Sequence, residues 1–280
     1  MQAPDPAVAA TEPAPTLRAF FLAALLWLPA AFFLWYVMRS VVVFAPIRVA
    51  SAVLTRWMPE LFRSGAQEYE RFIYAIAANV AGVEGLPAGT LEIALDVNAL
   101  QYCYGLPVLV GLVMATPLDW KHTFAQLLGG WALLVPVQAF GLVFEAFRDI
   151  YFGLGGAVAS GLVDAGYPDA ASAAAQTAAS AGAATLAANG LSAELVGVAY
   201  QFAYLALPAI APVVIWVAFN RRFIEALTLE GRSMTEPAGP ARGPSDSCAR
   251  RPHDRQRPRR SPRPPPRRTR HAGAGRAHLA

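Results

Sequence analysis

The sequence predicts an α-helical, polytopic membrane protein of about four transmembrane helices. It also predicts a small β-containing extracytoplasmic segment and a disordered, basic C-terminal tail. Three observations lead there. Charged residues make up only 15% of the chain and mean hydropathy is +0.37, where a soluble domain carries about a quarter charged residues. The apolar residues gather into runs at 17–38, 100–116, 124–147 and 195–219, each long enough for most or all of a bilayer crossing. The charge is also divided. Residues 221–280 hold 15 Lys+Arg against 5 Asp+Glu, a balance of +10, while residues 1–220 hold 8 against 14, a balance of −6. The overall +4 therefore reflects a basic tail on an acidic body.

In chain order, residues 1–16 are rich in Ala and Pro and read as a disordered leader. Leu17–Met38 carries one charge, Arg18, and reaches about 33 Å as a helix. It is too long for a signal-peptide core and lacks a clear cleavage site, so it reads as an uncleaved anchor. Pro29 should kink it, and Trp35 with Tyr36 suit the interfacial belt. After Pro46, Ile47, Ala50, Leu54, Trp57 and Leu61 recur at helical spacing while Arg48, Ser51, Thr55 and Arg56 face elsewhere. That pattern suits an amphipathic helix on the membrane surface; the alternative is an extension of the first span.

Residues 67–78 fit strand or helix. The turn residues Gly82, Gly85, Pro87 and Gly89, followed by a strand at Leu91–Val97, favour a small antiparallel pair. In that strand Leu91, Ile93, Leu95 and Val97 alternate with Glu92, Asp96 and Asn98, the mark of one buried face. The chain then turns directly into the second span. Polar groups crowd the junction: Asp96, Asn98, Gln101, Tyr102, Cys103 and Tyr104, before Gly105 and Pro107. A tight loop at 117–123 leads to the third span, 124–147, with Pro136 and Gln138 inside and Glu145, Arg148 and Asp149 at its end. Gly153–Gly161 reads as weakly apolar and interfacial. Ala170–Asn189 is Ala/Ser-rich, has almost no large apolar side chain with which to dock, and reads as a solvated excursion. The fourth span should be broken by Pro208 and Pro212 and stopped at Asn220-Arg221-Arg222. Residues 229–280, Pro/Arg-rich with no apolar period, read as a disordered tail. Its composition is like that of GC-rich coding sequence read out of frame.

The domain plan is thus a membrane domain over 17–228, with outer segments at 39–98 and 148–194. An even number of spans places both termini on one side. Arg18, Lys121 in the short loop, Arg221 and Arg222 assign that side to the cytoplasm, against Arg39, Arg48, Arg56, Arg63, Arg71 and Arg148 opposite.

Candidate partner or interface residues are Asp96, Asn98, Tyr102, Tyr104, Gly105 and Pro107. Asn98 and the tyrosines would form a polar platform, or simply an aromatic belt, while Gly105 and Pro107 shape the helix entry. Gln138, Glu145 and Tyr204 are intramembrane polar candidates. Glu145, Arg148 and Asp149 fall within one helical turn and could equally be a pair exiting into water. Cys103 and His122 would lie at opposite ends of one helix, which excludes a nucleophile–base pair. Cys103 and Cys248 sit in no CxxC or Cys/His cluster, so no metal site and no cofactor is expected. No nucleotide loop, HExxH or Ser/His/Asp arrangement occurs, which argues against an enzyme. The tail's charge alone is no basis for a nucleic-acid partner.

The anchor, the short β-rich outer segment, the junction Val97-Asn98-Ala99-Leu100-Gln101-Tyr102-Cys103-Tyr104-Gly105-Leu106-Pro107 and the Trp-bearing loop resemble the exosortase H-associated membrane protein family over Leu17–Thr228. That resemblance implies a bacterial inner-membrane accessory to a cysteine transpeptidase that processes C-terminal sorting signals. It carries over no catalytic residue. The chain lacks the intramembrane Cys, Arg and His set of the transpeptidase itself, and the stretch from Ala170 looks like an insertion. The leading expectation is an accessory that binds or positions a membrane partner, with membrane lipid and an exosortase-type transpeptidase as partners. The alternatives are a small-molecule or ion pathway using Gln138, Glu145 and Tyr204, and a membrane hydrolase using Asp96 or Glu92.

Overall fold

Four helices in the computed structural model are long and apolar enough to cross a membrane: α1 (Leu17–Val37), α2 (Arg39–Trp57), α4 (Trp120–Phe152) and the continuous run Ala193–Phe219. The structure describes residues 17–86 and 89–225, so the leader, Pro87 and the whole tail with Cys248 lie outside the described residues. Between the long helices stand strands β1 (Phe62–Glu68), β2 (Arg71–Asn79) and β3 (Thr90–Asn98), a 3-10 turn (Ala99–Tyr102), α3 (Gly105–Ala115), α5 (Leu154–Asp164) and α6 (Pro168–Ala188). The last long run consists of α7 (Ala193–Gln201), a π-helical turn (Phe202–Ala206) and α8 (Leu207–Phe219).

The alternation at 91–97 becomes β3, and residues 66–78 resolve as strand. The expected pair is a three-stranded antiparallel sheet in the order β1-β2-β3. Tyr69, at φ 53°, turns the β1–β2 hairpin. The inward parity of β2 (Phe72, Tyr74, Ile76) pairs with Val97, Leu95 and Ile93 of β3, so both strands bury the same face.

Residues 100–116, expected as one continuous span, divide instead. The 3-10 turn ends at Tyr102, and α3 has only 11 residues, about 16 Å long. Asn98 starts that division: its Oδ1 accepts from the Leu100 N–H at 3.1 Å and caps the turn.

Two apolar clusters meet along α4, whose 33 residues reach about 50 Å, well beyond a hydrocarbon core of about 30 Å. The first gathers Leu109 and Val113 of α3, Leu134 of α4 and Trp216 of α8, with Phe20 of α1 stacked on Trp216 at 5.4 Å. Its polar ties are few and complete. Trp216 Nε1 donates to Thr116 Oγ1 at 3.0 Å, and the amides of Gln126 and Asn220 exchange hydrogen bonds at 3.1 and 3.0 Å. The second cluster packs the inner stripe of α2 (Val43, Ile47, Ala50, Leu54), the sheet, and Leu142, Ala146, Phe147 and Ile150 of α4 with α5 and α6.

Two further expectations are corrected. Residues 170–189 are not a solvated excursion but α6, docked along α5 through Ala170, Ala174, Ala178, Gly182 and Leu186, which recur every fourth residue. Small side chains let the helix backbones close together, so no large apolar group is needed. A Cβ on Gly182 would stand 2.8 Å from Ile150 and 3.2 Å from Leu154. The Gly153–Gly161 stretch is likewise the greater part of α5, buried through Leu154 and Val158. The second correction concerns the last span, which Pro208 and Pro212 do not break. Pro208 cannot donate to the carbonyl of Tyr204, and the π-helical turn Phe202–Ala206 absorbs the mismatch while the helix continues. Pro29 and Pro136 also lie inside unbroken helices.

Gly141 of α4 faces the Tyr102 ring so closely that a Cβ would overlap it, whereas a Cβ on Gly156 of α5 would meet nothing within 4 Å. Gly141→Ala should therefore destabilise the protein by about 1–3 kcal/mol. Gly156→Ala should be neutral or slightly stabilising. Thermal unfolding of both variants in the same detergent checks the contrast.

Candidate functional site

Glu145, Arg148 and Asp149 occupy one turn near the C-terminal end of α4, where the second cluster closes over them. The sequence left open whether they leave the membrane into water; the structure encloses the carboxylates. Glu145 is 7% exposed, and its Oε2 accepts from Gln101 Nε2 of the 3-10 turn at 2.9 Å. Asp149 accepts at Oδ2 from the Tyr74 hydroxyl of β2 at 2.6 Å and at Oδ1 from Arg148 Nη1 at 2.8 Å. The same Arg148 nitrogen stands 3.8 Å from Glu145 Oε1. One guanidinium thus serves two carboxylates, and two neutral donors from distant segments complete their shells. Burial, followed by the neighbouring Asp149 carboxylate, raises the Tyr74 phenol well above its ordinary range. It therefore stays protonated as the donor.

On its far side Arg148 lies 5.1 Å over the Tyr200 ring, a cation–π contact. Tyr200 stacks on Tyr204 at 5.8 Å, and Tyr204 meets Tyr102 edge-on at 6.2 Å. The Tyr102 ring is fully buried, and its hydroxyl sits beside Glu145 without a hydrogen bond of good geometry. Tyr104 and Tyr200 are half-buried and Tyr204 is exposed. Tyr102, Tyr204 and Tyr200 form a continuous lip of phenol rings in front of the charged set, with Tyr104 close to Tyr204. The π-helical turn begins one residue after Gln201 and carries Tyr204, so the bulge that accommodates Pro208 also aims this ring at Tyr102.

The junction residues and the intramembrane residues, which the sequence presents as two groups, are here largely one. Tyr102, Tyr104, Tyr204 and Glu145 share the site. Gly105, the first residue of α3, admits α8: a Cβ there would stand 2.7 Å from the Pro208 carbonyl oxygen. Pro107 is buried in the first turn of α3. Asn98 serves as the cap described above. Asp96 faces outward and pairs with Arg71 across the β2–β3 ladder. Glu92 is exposed on the same face. Gln138 lies two turns before Glu145 on α4, 3% exposed, with neither amide atom hydrogen-bonded. Cys103 is fully buried after the 3-10 turn, while His122 is exposed and 2.9 Å from Asp119. Among the described residues, no three His, Cys, Asp or Glu side chains gather as a metal ion would need.

Almost nothing in the local sequence singles out Tyr74, and Tyr200 reads from the sequence as an interhelical hydrogen-bonding group, a packing role. Tyr74 is the one hydroxyl-bearing side chain on the inward parity of β2, the sole local hint of a buried acceptor.

A protein-family model described as "Exosortase H-associated membrane protein" matches this chain in two segments, residues 14–175 and 170–223. The two segments overlap at 170–175, where α6 begins. Comparison with curated proteins and with solved structures produced no match.

Arg148→Ala should cost about 3 kcal/mol or more, because it leaves two largely buried carboxylates without their cation. Adding Glu145→Gln should recover part of that loss, and Tyr74→Phe alone should cost about 1–3 kcal/mol. Unfolding midpoints in detergent for the single and double variants test whether these groups act as one unit.

Proposed function

Because this chain belongs to the exosortase H-associated membrane protein family, we propose that it is a non-enzymatic accessory whose outer face holds an exosortase-type transpeptidase in position. The family description makes it a membrane protein associated with exosortase H. The docking role is carried by one observation: the partly exposed tyrosine lip, Tyr104, Tyr200 and Tyr204, backed by Arg148. Tyrosine and arginine are the residues most enriched at the centres of protein interfaces. Here a rigid charged set behind the rings limits what they lose in freedom on binding. The charged groups of the site are already engaged: Arg148 lies between the two carboxylates, which also accept from the neutral donors Tyr74 and Gln101. That suits a scaffold better than proton transfer.

We place the protein in the bacterial inner membrane with both termini in the cytoplasm. α1, α3, the first half of α4 and α8 pack side by side, with Gly105 against Pro208 at one end of α3 and Thr116 against Trp216 at the other. Arg221 and Arg222 follow α8, and Lys121 opens α4, on the Thr116 end. The positive-inside rule assigns that end to the cytoplasm and the tyrosine lip to the outside.

Replacing Tyr200 and Tyr204 together by Ala should reduce recovery of exosortase H in detergent co-purification by about tenfold or more. An unchanged yield, with the variant folded by its thermal midpoint, refutes the docking role. Reporter tags at the two ends should both report from the cytoplasm; opposite compartments would overturn the topology.

A further inference from the structure

We infer that α2 does not cross the bilayer but lies against its outer surface, where Arg48 and Arg56 bind the phosphates of anionic phospholipids. By length and composition α2 qualifies as a span. Its neighbours forbid it. Ser51 Oγ donates to the Gly65 carbonyl at 3.2 Å, Gln67 Nε2 donates to the Ser40 carbonyl at 2.7 Å, and the Phe62 N–H donates to the Met58 carbonyl at 2.9 Å. These three bonds peg β1 along almost the whole of α2. Gly65 makes the approach possible, since a Cβ there would stand 2.5 Å from Ser51 Oγ. β1 is an edge strand and carries Arg63, Gln67 and Glu68. A helix moved into hydrocarbon would take that open edge and those charges with it, and lipid-exposed sheet edges do not occur at that depth.

The opposite face of α2 is apolar yet uncovered, with Val41 67% and Phe44 57% exposed and Val49 and Val53 further along, while Trp57 at its edge packs on Phe147 of α4. Arg48 and Arg56 stand on this face two turns apart, and no carboxylate among the described residues pairs with either. On a body whose balance is −6, such a strip of unpaired positive charge beside apolar side chains complements an anionic, amphiphilic surface. Only Met38 separates α2 from the anchor α1, which holds this face beside the headgroups. Arg39, at the bend, lies 5.2 Å over the exposed Tyr36 ring. The inference is independent of the tyrosine lip.

The test uses the full chain with Cys248→Ser and Val53→Cys, labelled at position 53 with an environment-sensitive fluorophore; Cys103 is fully buried. In detergent, phosphatidylglycerol should shift the label's emission saturably and phosphatidylcholine should not. Arg48→Gln with Arg56→Gln should weaken the phosphatidylglycerol response by about thirtyfold, while Arg48→Lys with Arg56→Lys should largely retain it. In nanodiscs containing phosphatidylglycerol, depth-dependent quenchers should place the label at headgroup level. Equal response to the two lipids, or a Gln variant that stays folded by its thermal midpoint and binds as before, overturns the lipid site. Quenching at the bilayer centre overturns the surface placement, and a water-like label in nanodiscs assigns the face to another partner.

Discussion

The structure depends on how two carboxylates are buried at the end of one over-long helix. Glu145 and Asp149 share Arg148, and a lone guanidinium between two acids leaves a net negative charge in a poorly solvated place. Neutral donors must make up the difference. They come from β2 and from the 3-10 turn, so the sheet and the junction are held to α4 by the polar groups that need them. The order of the cap follows: β2 must present Tyr74, and β3 must end where Gln101 reaches α4.

Close backbone approach does the rest of the packing. Gly65 admits α2 to β1, Gly105 admits α8 to α3, Gly141 admits Tyr102 to α4, and Gly182 admits α6 to Ile150. Between helices surrounded by lipid there is no hydrophobic drive to associate, so contact area and the few hydrogen bonds decide the arrangement. The α5–α6 pair in the outer segment closes for a different reason: its side chains are small enough for the two backbones to meet, as Gly155 does against Ala175 and Ala179.

The site draws on the same economy. Pro208 removes a donor from the last helix, the π-helical turn accommodates the loss, and the widened turn directs Tyr204 toward Tyr102. Tyr200 then falls under Arg148. A backbone irregularity forced by proline thus positions the rings of the tyrosine lip.

Local patterns settle much of this in advance. The apolar runs mark α1, α4 and the last span because hydropathy over about 20 residues is a property of the chain itself. The alternation from Leu91 to Val97 marks β3 because a buried face imposes a period of two. Glu145, Arg148 and Asp149 are one turn apart by helix geometry alone. Their partners are not legible: Tyr74 lies 75 residues from Asp149 and Gln101 lies 44 from Glu145, and no local pattern encodes a contact at such separations. The stripe Ile47, Ala50 and Leu54 with Arg48 and Arg56 elsewhere suits a surface helix, but no local pattern shows that β1 is fastened along α2. Whether an apolar stretch is covered by lipid or by protein depends on what folds against it, and that is decided only in three dimensions.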